Sequence, residues 1–227
     1  MSEFDQYARK YDATVNDAIA FSGLDVDFFT KAKSDDLLRT VARHRSPLGE
    51  LALLDVGCGI GNYHAGWTSH FREVHGIDVS VESIDVARAS NPGAQYQSYD
   101  GLRLPYGDGV FDVLVTICVM HHVPPAQWPA LVSEFKRVLK PGGLALVYEH
   151  NPLNPLTRRV VDKCEFDVDA VLLWPRPTRR LFEGAGFEKV RTRSILTVPP
   201  LNGLLAAADR AMGWQPFGAQ FALEAKA

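Results

Sequence analysis

The sequence predicts an α/β domain: a mostly parallel, seven-stranded sheet with helices on both faces and a helical cap at the N-terminus. Three observations carry this expectation. Short apolar runs of strand length alternate with segments whose apolar residues recur at helical spacing, which is the rhythm of βαβ units. The run Leu51 to Val56 passes directly into Gly57-Cys58-Gly59-Ile60-Gly61, where the absence of Cβ atoms lets the backbone turn sharply into a helix start. A second run, Glu73 to Val79, ends in an acid, Asp78, at roughly the twenty-residue distance that one βαβ step requires. The chain has 227 residues, which suits one such domain. We divide it into a cap over residues 1–47 and a main domain over 48–227, with a substrate-side insertion at about 150–176.

Composition narrows the function. A hydrophobic content of 46% with 22% charged residues is ordinary globular composition. A net charge of −3 and a pI near 6.2 supply no general attraction for phosphate backbones, so nucleic acid is a poor default partner. Cys58, Cys118 and Cys164 are odd in number, widely spaced and without a C-x-x-C pair, which argues against a disulfide framework or zinc ribbon and for a reducing compartment. Met1 to Asp5 shows neither a basic nor an apolar leader region, and no apolar run reaches membrane-spanning length, so the expected location is the cytoplasm. The sequence does not address oligomeric state.

The cap begins with Phe4, Tyr7, Ala8 and Tyr11 and resumes with Phe28, Phe29, Leu37, Leu38 and Val41, the two groups separated by Ser22-Gly23. A cap beside a cleft can close on substrate. Leu51 to Val56 is the continuous apolar run of a strand covered on both faces. The glycine turn after it suits a carboxylate or phosphate at a helix N-terminus. A dinucleotide fingerprint, G-x-G-x-x-G, needs a glycine where Asn62 stands. Asp78, at the carboxyl end of the second strand, lies on the ligand side of an open sheet and can accept hydrogen bonds from two ribose hydroxyls. The alternative is a surface acid ahead of the Ser80 N-cap. A helix from Ser80 to Ala89 is stopped by Asn91-Pro92-Gly93, and a third strand, Ala94 to Tyr99, delivers Asp100-Gly101. Val110 to Thr116 is a fourth strand leading into Ile117 and the adjacent His121 and His122. Trp128 to Leu139 places Leu131, Phe135, Val138 and Leu139 on one helical face, Lys140-Pro141-Gly142-Gly143 ends that helix, and Leu144 to Tyr148 is the fifth strand.

The pattern Asp55-x-Gly57-x-Gly59-x-Gly61 resembles motif I of the class I S-adenosylmethionine (SAM)-dependent methyltransferases. The acid at Asp78, the Asp100-Gly101 pair, the stretch Ile117 to Val123 and the turn Arg137 to Gly143 resemble that family's later motifs, in order and over about residues 50–149. The core is similar to the ubiquinone/menaquinone-biosynthesis-like methyltransferases. The resemblance implies a Rossmann-like class I methyltransferase fold whose last strand runs antiparallel, with SAM as cofactor and S-adenosylhomocysteine as product. It implies that Asp55, Gly57, Cys58, Gly59 and Gly61 surround the methionine moiety and that Asp78 and Val79 meet the ribose. Asp100, Gly101 and Leu102 would meet the adenine, and Ile117 the amino-acid end through its main chain. Tyr11 would lie over the cofactor, with simple packing as the equal alternative.

Beyond residue 149 the motifs thin. Glu149, His150, Asn151 and Arg158 belong to a polar, proline-punctuated loop on the ligand side, so Glu149, Asn151 and Arg158 are expected at the acceptor. Val160 to Arg176 reads as an inserted loop or short helix, Pro177 to Ala185 as a helix and Glu188 to Val198 as a strand. Leu201 to Met212 reads as a helix and Phe221 to Ala227 as the final strand. Seven arginines between Arg158 and Arg193 form a basic stretch that reads as a solvated face or as a seat for an anionic substrate. His122, His121 and His150 are the candidate bases. No histidine pair has helical ligand spacing with a carboxylate beside it, so no metal site is expected. The function expected is in-line methyl transfer from SAM to a small or carrier-linked acceptor, such as a sugar, lipid or other metabolite. A non-catalytic SAM-binding or regulatory subunit is the alternative, since fold does not fix function. An RNA methyltransferase fits the charge poorly, and an NAD-dependent oxidoreductase lacks the third fingerprint glycine.

Overall fold

Every residue of β1 (Ala52–Val56) is buried, because successive side chains point to opposite faces and both faces are covered. Leu54 and Val56 enter one core with Leu114, Phe135 and Phe182, while Leu53 enters a second with Leu37, Val41 and Trp67. The computed structural model describes residues 11–20 and 23–227, with nothing said of the side chains of 11–13 and 166. Phe4, Tyr7, Ala8 and Ser22 of the expected cap, and the side chain of Tyr11, therefore lie outside the described residues.

Around β1 stand β2 (Glu73–Asp78), β3 (Gln95–Ser98), β4 (Phe111–Ile117), β5 (Leu139–His150), β6 (Glu188–Ile195) and β7 (Gln220–Lys226). The sheet order is β3-β2-β1-β4-β5-β7-β6. The first five strands are parallel, and β7 runs antiparallel to both β5 and β6. The described helices are α1 (Tyr11–Ile19), α2 (Val26–His44), α3 (His64–Trp67), α4 (Val81–Ser90), α5 (Trp128–Val138), α6 (Pro155–Val161), α7 (Pro175–Gly184) and α8 (Gly203–Ala211). This is the Rossmann-like, seven-stranded arrangement that the sequence predicts. None of the described helices is long and apolar enough to cross a membrane.

Local chemistry sets the helix starts. Asp25, Ser80 and Asn154 cap α2, α4 and α6 by accepting backbone N–H groups of the first turn, and Pro155 occupies the first position of α6, where its missing N–H costs nothing. The second cap helix is fastened to the sheet. Tyr148 donates its hydroxyl to Asp36 at 2.9 Å and Arg193 donates a guanidinium N–H to the same oxygen at 2.5 Å.

Three boundaries differ from expectation. Lys140-Pro141-Gly142-Gly143 does not end a helix ahead of the fifth strand but lies within β5, because Leu139 already pairs with Phe111 before the register shifts to Val113 and Leu144. α3 stops at Trp67, short of His70, to about which the sequence predicts the short helix after the glycine turn to run. The stretch 160–176 holds the end of α6, a 3₁₀ turn at Glu165–Asp167 and the first residues of α7. The sheet order reverses between β1 and β4, so the loops after these strands open on a common side, where open α/β sheets bind ligands.

Candidate functional site

The glycine turn after β1 is held from beneath by β2. Gly57 and Cys58 donate their N–H groups to the carbonyl of Ile77 at 2.8 and 3.0 Å, and Gly59 donates to Asp78 Oδ2 at 2.9 Å. Gly57, Gly59 and Gly61 have φ of 77, 52 and 77°, the left-handed region that side chains resist. Their surroundings differ. A Cβ on Gly57 would lie 2.4 Å from Val119 Cγ2, whereas one on Gly59 would meet nothing within 4 Å and would project into open space.

That space is a cleft of about 960 Å³, the upper range for a small-molecule site. Its walls are the loops after β1, β2, β4 and β5, with α1, the start of α2, α6 and the segment around Thr197 and Gln220. Four buried side-chain atoms of the described residues have no hydrogen-bond partner: Asp55 Oδ1, Thr116 Oγ1, Thr197 Oγ1 and Gln220 Oε1. Asp55, Thr197 and Gln220 line this cleft. Buried polar atoms are normally paired, and these three idle ones belong to residues that line one cavity. Asp55 uses its other oxygen to hold His64 Nε2 at 3.0 Å, which fixes its orientation.

Asp78 is 9% exposed and already works on the backbone, accepting from Gly59 through one oxygen and from Ser80 through the other. Burial raises its pKa, against the lowering effect of these bonds. Each oxygen retains an electron pair for a hydroxyl. Asp100 is exposed and spends Oδ1 on the N–H groups of Leu102 and Arg103, which lower its pKa and shape the loop that presents Leu102, 63% exposed.

At another part of the cleft β4 is followed by Cys118, a non-glycine residue at φ 57°. Glu149 explains the turn that follows. From the end of β5 its Oε1 accepts the N–H groups of Val119 and Met120 at 3.2 and 2.8 Å, and its Oε2 lies 2.6 Å from His121 Nδ1. His121 Nε2 lies 3.3 Å from Asp167 Oδ1, and His122 Nε2 lies 3.5 Å from the same oxygen. The His150 ring centre stands 5.2 Å from that of His121. Burial opposes charge on His121, but Glu149 and Asp167 outweigh it and raise its pKa well above the ordinary value. Burial and the neighbouring His121 bring His122 and His150 down to about 4.

The cleft gathers Asp55, Gly57, Cys58, Gly59, Asp78, Val79, Asp100, Gly101, Leu102 and Ile117 with His121, His122 and His150. Gly61, Glu149, Asn151 and Arg158 are not in its lining. Gly61 faces away, where a Cβ would meet Tyr96 Oη at 2.8 Å and Asn91 Nδ2 at 2.9 Å. Glu149, expected at the acceptor, is fully buried and consumed by the bonds just described. Asn151, expected there too, donates to the carbonyls of Pro216 and Gly218 and accepts from Leu153, so it fastens a loop. Arg158 is exposed on α6, outside the cleft lining. Lys33 and Asp167 line the cleft without having been singled out. Lys33 is 8% exposed with its ammonium 5.6 Å from the centre of the Tyr63 ring; only the rarity of a lysine on an apolar helix face hinted at it.

A family model described as a methyltransferase domain matches residues 54–147. An uncharacterized methyltransferase of Synechocystis sp. is 36% identical over 118 residues, which cover 49% of this chain and 56% of that protein. A sterol 24-C-methyltransferase of Gibberella zeae is 30% identical over 126 residues, 49% of this chain and 32% of that one. The chain thus matches about half of the first relative's length and a third of the second's. A SAM-dependent methyltransferase of Thermotoga maritima, described as a possible histamine N-methyltransferase, superposes with a TM-score of 0.69 at 16% identity over 98% of this chain and 97% of that one. At that identity the likeness is one of fold: the class I methyltransferase fold.

Proposed function

We propose that this protein, whose residues 54–147 match a methyltransferase domain, transfers the methyl group of SAM to a small or carrier-linked acceptor. The observation that carries the reading is the set of three unpartnered buried oxygens, from Asp55, Thr197 and Gln220, in the same cleft as the glycine turn. Bound SAM supplies an electrophilic methyl on a sulfonium whose sulfur leaves neutral. The chain's own work is positional. Asp55 is suited to the ammonium of an amino-acid end, the open backbone at Gly59 makes room for it, and Lys33 is a cation for its carboxylate. Asp78 is suited to two ribose hydroxyls, and Asp100 with Leu102 to an adenine ring. Holding acceptor, methyl and sulfur in line while excluding water accounts for most of the acceleration such a reaction needs.

For a hydroxyl acceptor the proton goes to His122, which is 19% exposed where His121 is 1%. His121, locked by Glu149 and Asp167, is a positioning residue in this reading. We further propose that residues 1–47 act as a cap and that 150–176 shape the acceptor end. The absence of any disulfide among the three described cysteines supports a reducing, cytoplasmic setting. The test is calorimetry with S-adenosylhomocysteine, followed by labelled SAM and fractionated lysate with mass spectrometry of the labelled product. Absence of saturable binding overturns the reading, and binding without turnover on any fraction favours a SAM-binding subunit instead.

A further inference from the structure

The cluster beside the acceptor end has a feature that methyl transfer does not require. His121, His150 and Asp167 come from the loop after β4, the end of β5 and the 3₁₀ turn after α6, and one ligand atom of each lies within 4.8 Å of the other two. We propose that these three residues bind a first-row divalent cation of the zinc type, with His122 beside it and at least one coordination position open to the cleft.

Three observations support the site. The first is distance. An ion bound tetrahedrally at ~2.0–2.1 Å from each donor holds the donors ~3.3–3.4 Å apart, and His121 Nε2 stands 3.3 Å from Asp167 Oδ1 without any ion to draw them together. The second is the outer partner. Metal-bound histidines generally give their other ring N–H to a carboxylate, which fixes the ring and aims the remaining nitrogen; His121 has that partner in Glu149, 2.6 Å from Nδ1. With Nδ1 donating to Glu149, a neutral His121 turns the electron pair of Nε2 onto an oxygen of Asp167. A proton on Nε2 bridges these two atoms in the absence of metal, and a divalent cation would take its place between the same two donors. The third is the donor set. Two imidazoles and one carboxylate make a catalytic-type metal site, three protein ligands with open positions, whereas a structural site closes its sphere with four. The inference goes beyond methyl transfer and does not rest on it, because a binding measurement needs neither SAM nor acceptor. It departs from the expectation of no metal site, which looked for ligands on one helix and not for ligands from three separate segments.

The test uses tag-free protein stripped with chelator. Titration with Co²⁺ is expected to give saturable 1:1 binding with visible bands of nitrogen and oxygen ligation and no thiolate charge-transfer band, and Zn²⁺ is expected to displace it. His150→Gln and Asp167→Asn should each weaken binding at least tenfold, and Glu149→Gln by about 10–100-fold, while His75→Gln leaves it unchanged. X-ray absorption on the zinc-loaded wild type requires no variant to fold and should report imidazole and oxygen scattering. Absence of 1:1 binding would show that a proton alone bridges His121 and Asp167 and would overturn the proposal. Sulfur scattering, or affinity that survives in both His150→Gln and Asp167→Asn, would overturn it equally.

Discussion

Alanine at Gly57 and alanine at Gly59 should fail in different ways, although both glycines have φ above 50°. The left-handed conformation costs an added Cβ about 1–2 kcal/mol at either position. At Gly57 the new atom also lies 2.4 and 2.7 Å from the two Val119 methyls, and overpacking of that kind costs a further ~1–3 kcal/mol. Gly57→Ala should therefore lose about 2–5 kcal/mol and Gly59→Ala about 1–2 kcal/mol. At about 2–4 °C per kcal/mol for a chain of this size, thermal melts separate the two. Binding should reverse the order of interest: the Gly59 Cβ meets no protein atom within 4 Å and enters the cleft, so the folded Gly59→Ala protein should bind S-adenosylhomocysteine much more weakly by calorimetry. Val119→Ala placed in the Gly57→Ala background should return the steric share and leave the conformational share, a coupling within the ~0.5–3 kcal/mol seen for touching residues. A coupling of zero would refute the steric argument. Unchanged affinity in Gly59→Ala would remove that glycine from the site.

Asp78→Ala should cost affinity for S-adenosylhomocysteine on the order of 1.5–3 kcal/mol per charge-assisted bond lost; because Asp78 also holds the N–H groups of Gly59 and Ser80, its melting temperature should fall as well. A variant that binds like the parent would make Asp78 purely structural. Tyr148→Phe removes one donor from the buried Asp36 carboxylate, and urea unfolding should register about 1.5–3 kcal/mol, the range for bonds to charged groups; a loss near zero would mean Arg193 alone suffices. Burial pushes the Asp112 pKa up, but Lys140, the Ala52 N–H and Arg45 outweigh it and hold it below the usual carboxylate value. A depressed carboxyl stabilises the fold above its unfolded value and stops doing so as pH falls through its folded value. Asp112→Asn should therefore flatten the acid limb of stability between the unfolded and folded values of that carboxyl, and an unaltered limb would assign acid sensitivity elsewhere.

The sheet and the glycine-turn side of the cleft were legible because each is local. A strand, its turn and the acid after the next strand sit within one βαβ unit, so Asp55, Gly57, Gly59 and Asp78 can be placed by counting along the chain. The acceptor side was only partly legible because it is assembled from distant segments. His121 and His122 stood out as a pair, but Glu149 looked like a ligand contact when it is the group that orders the turn after β4 from 28 residues away. Asn151 likewise looked available, and it binds carbonyls 65 and 67 residues further on. Asp167 lies in a stretch without periodicity, and no spacing rule connects it to His121. The bend at Gly142 and Gly143 was misjudged for another reason: a Pro-Gly-Gly run ends helices and also kinks strands, and only pairing with Phe111 decides between them.

The position of β7 has a consequence for how the chain is made. It is synthesised after β6 yet lies between β5 and β6, so β6 has no place in the sheet until residues 220–226 have left the ribosome. Until then the growing chain displays the edge of β5, whose run Leu144–Tyr148 is almost fully buried in the finished protein. An open, apolar strand edge pairs readily with other chains. Nascent molecules halted before β7 should be those that chaperones hold, and their aggregation should cease when a peptide of residues 220–226 is supplied in trans.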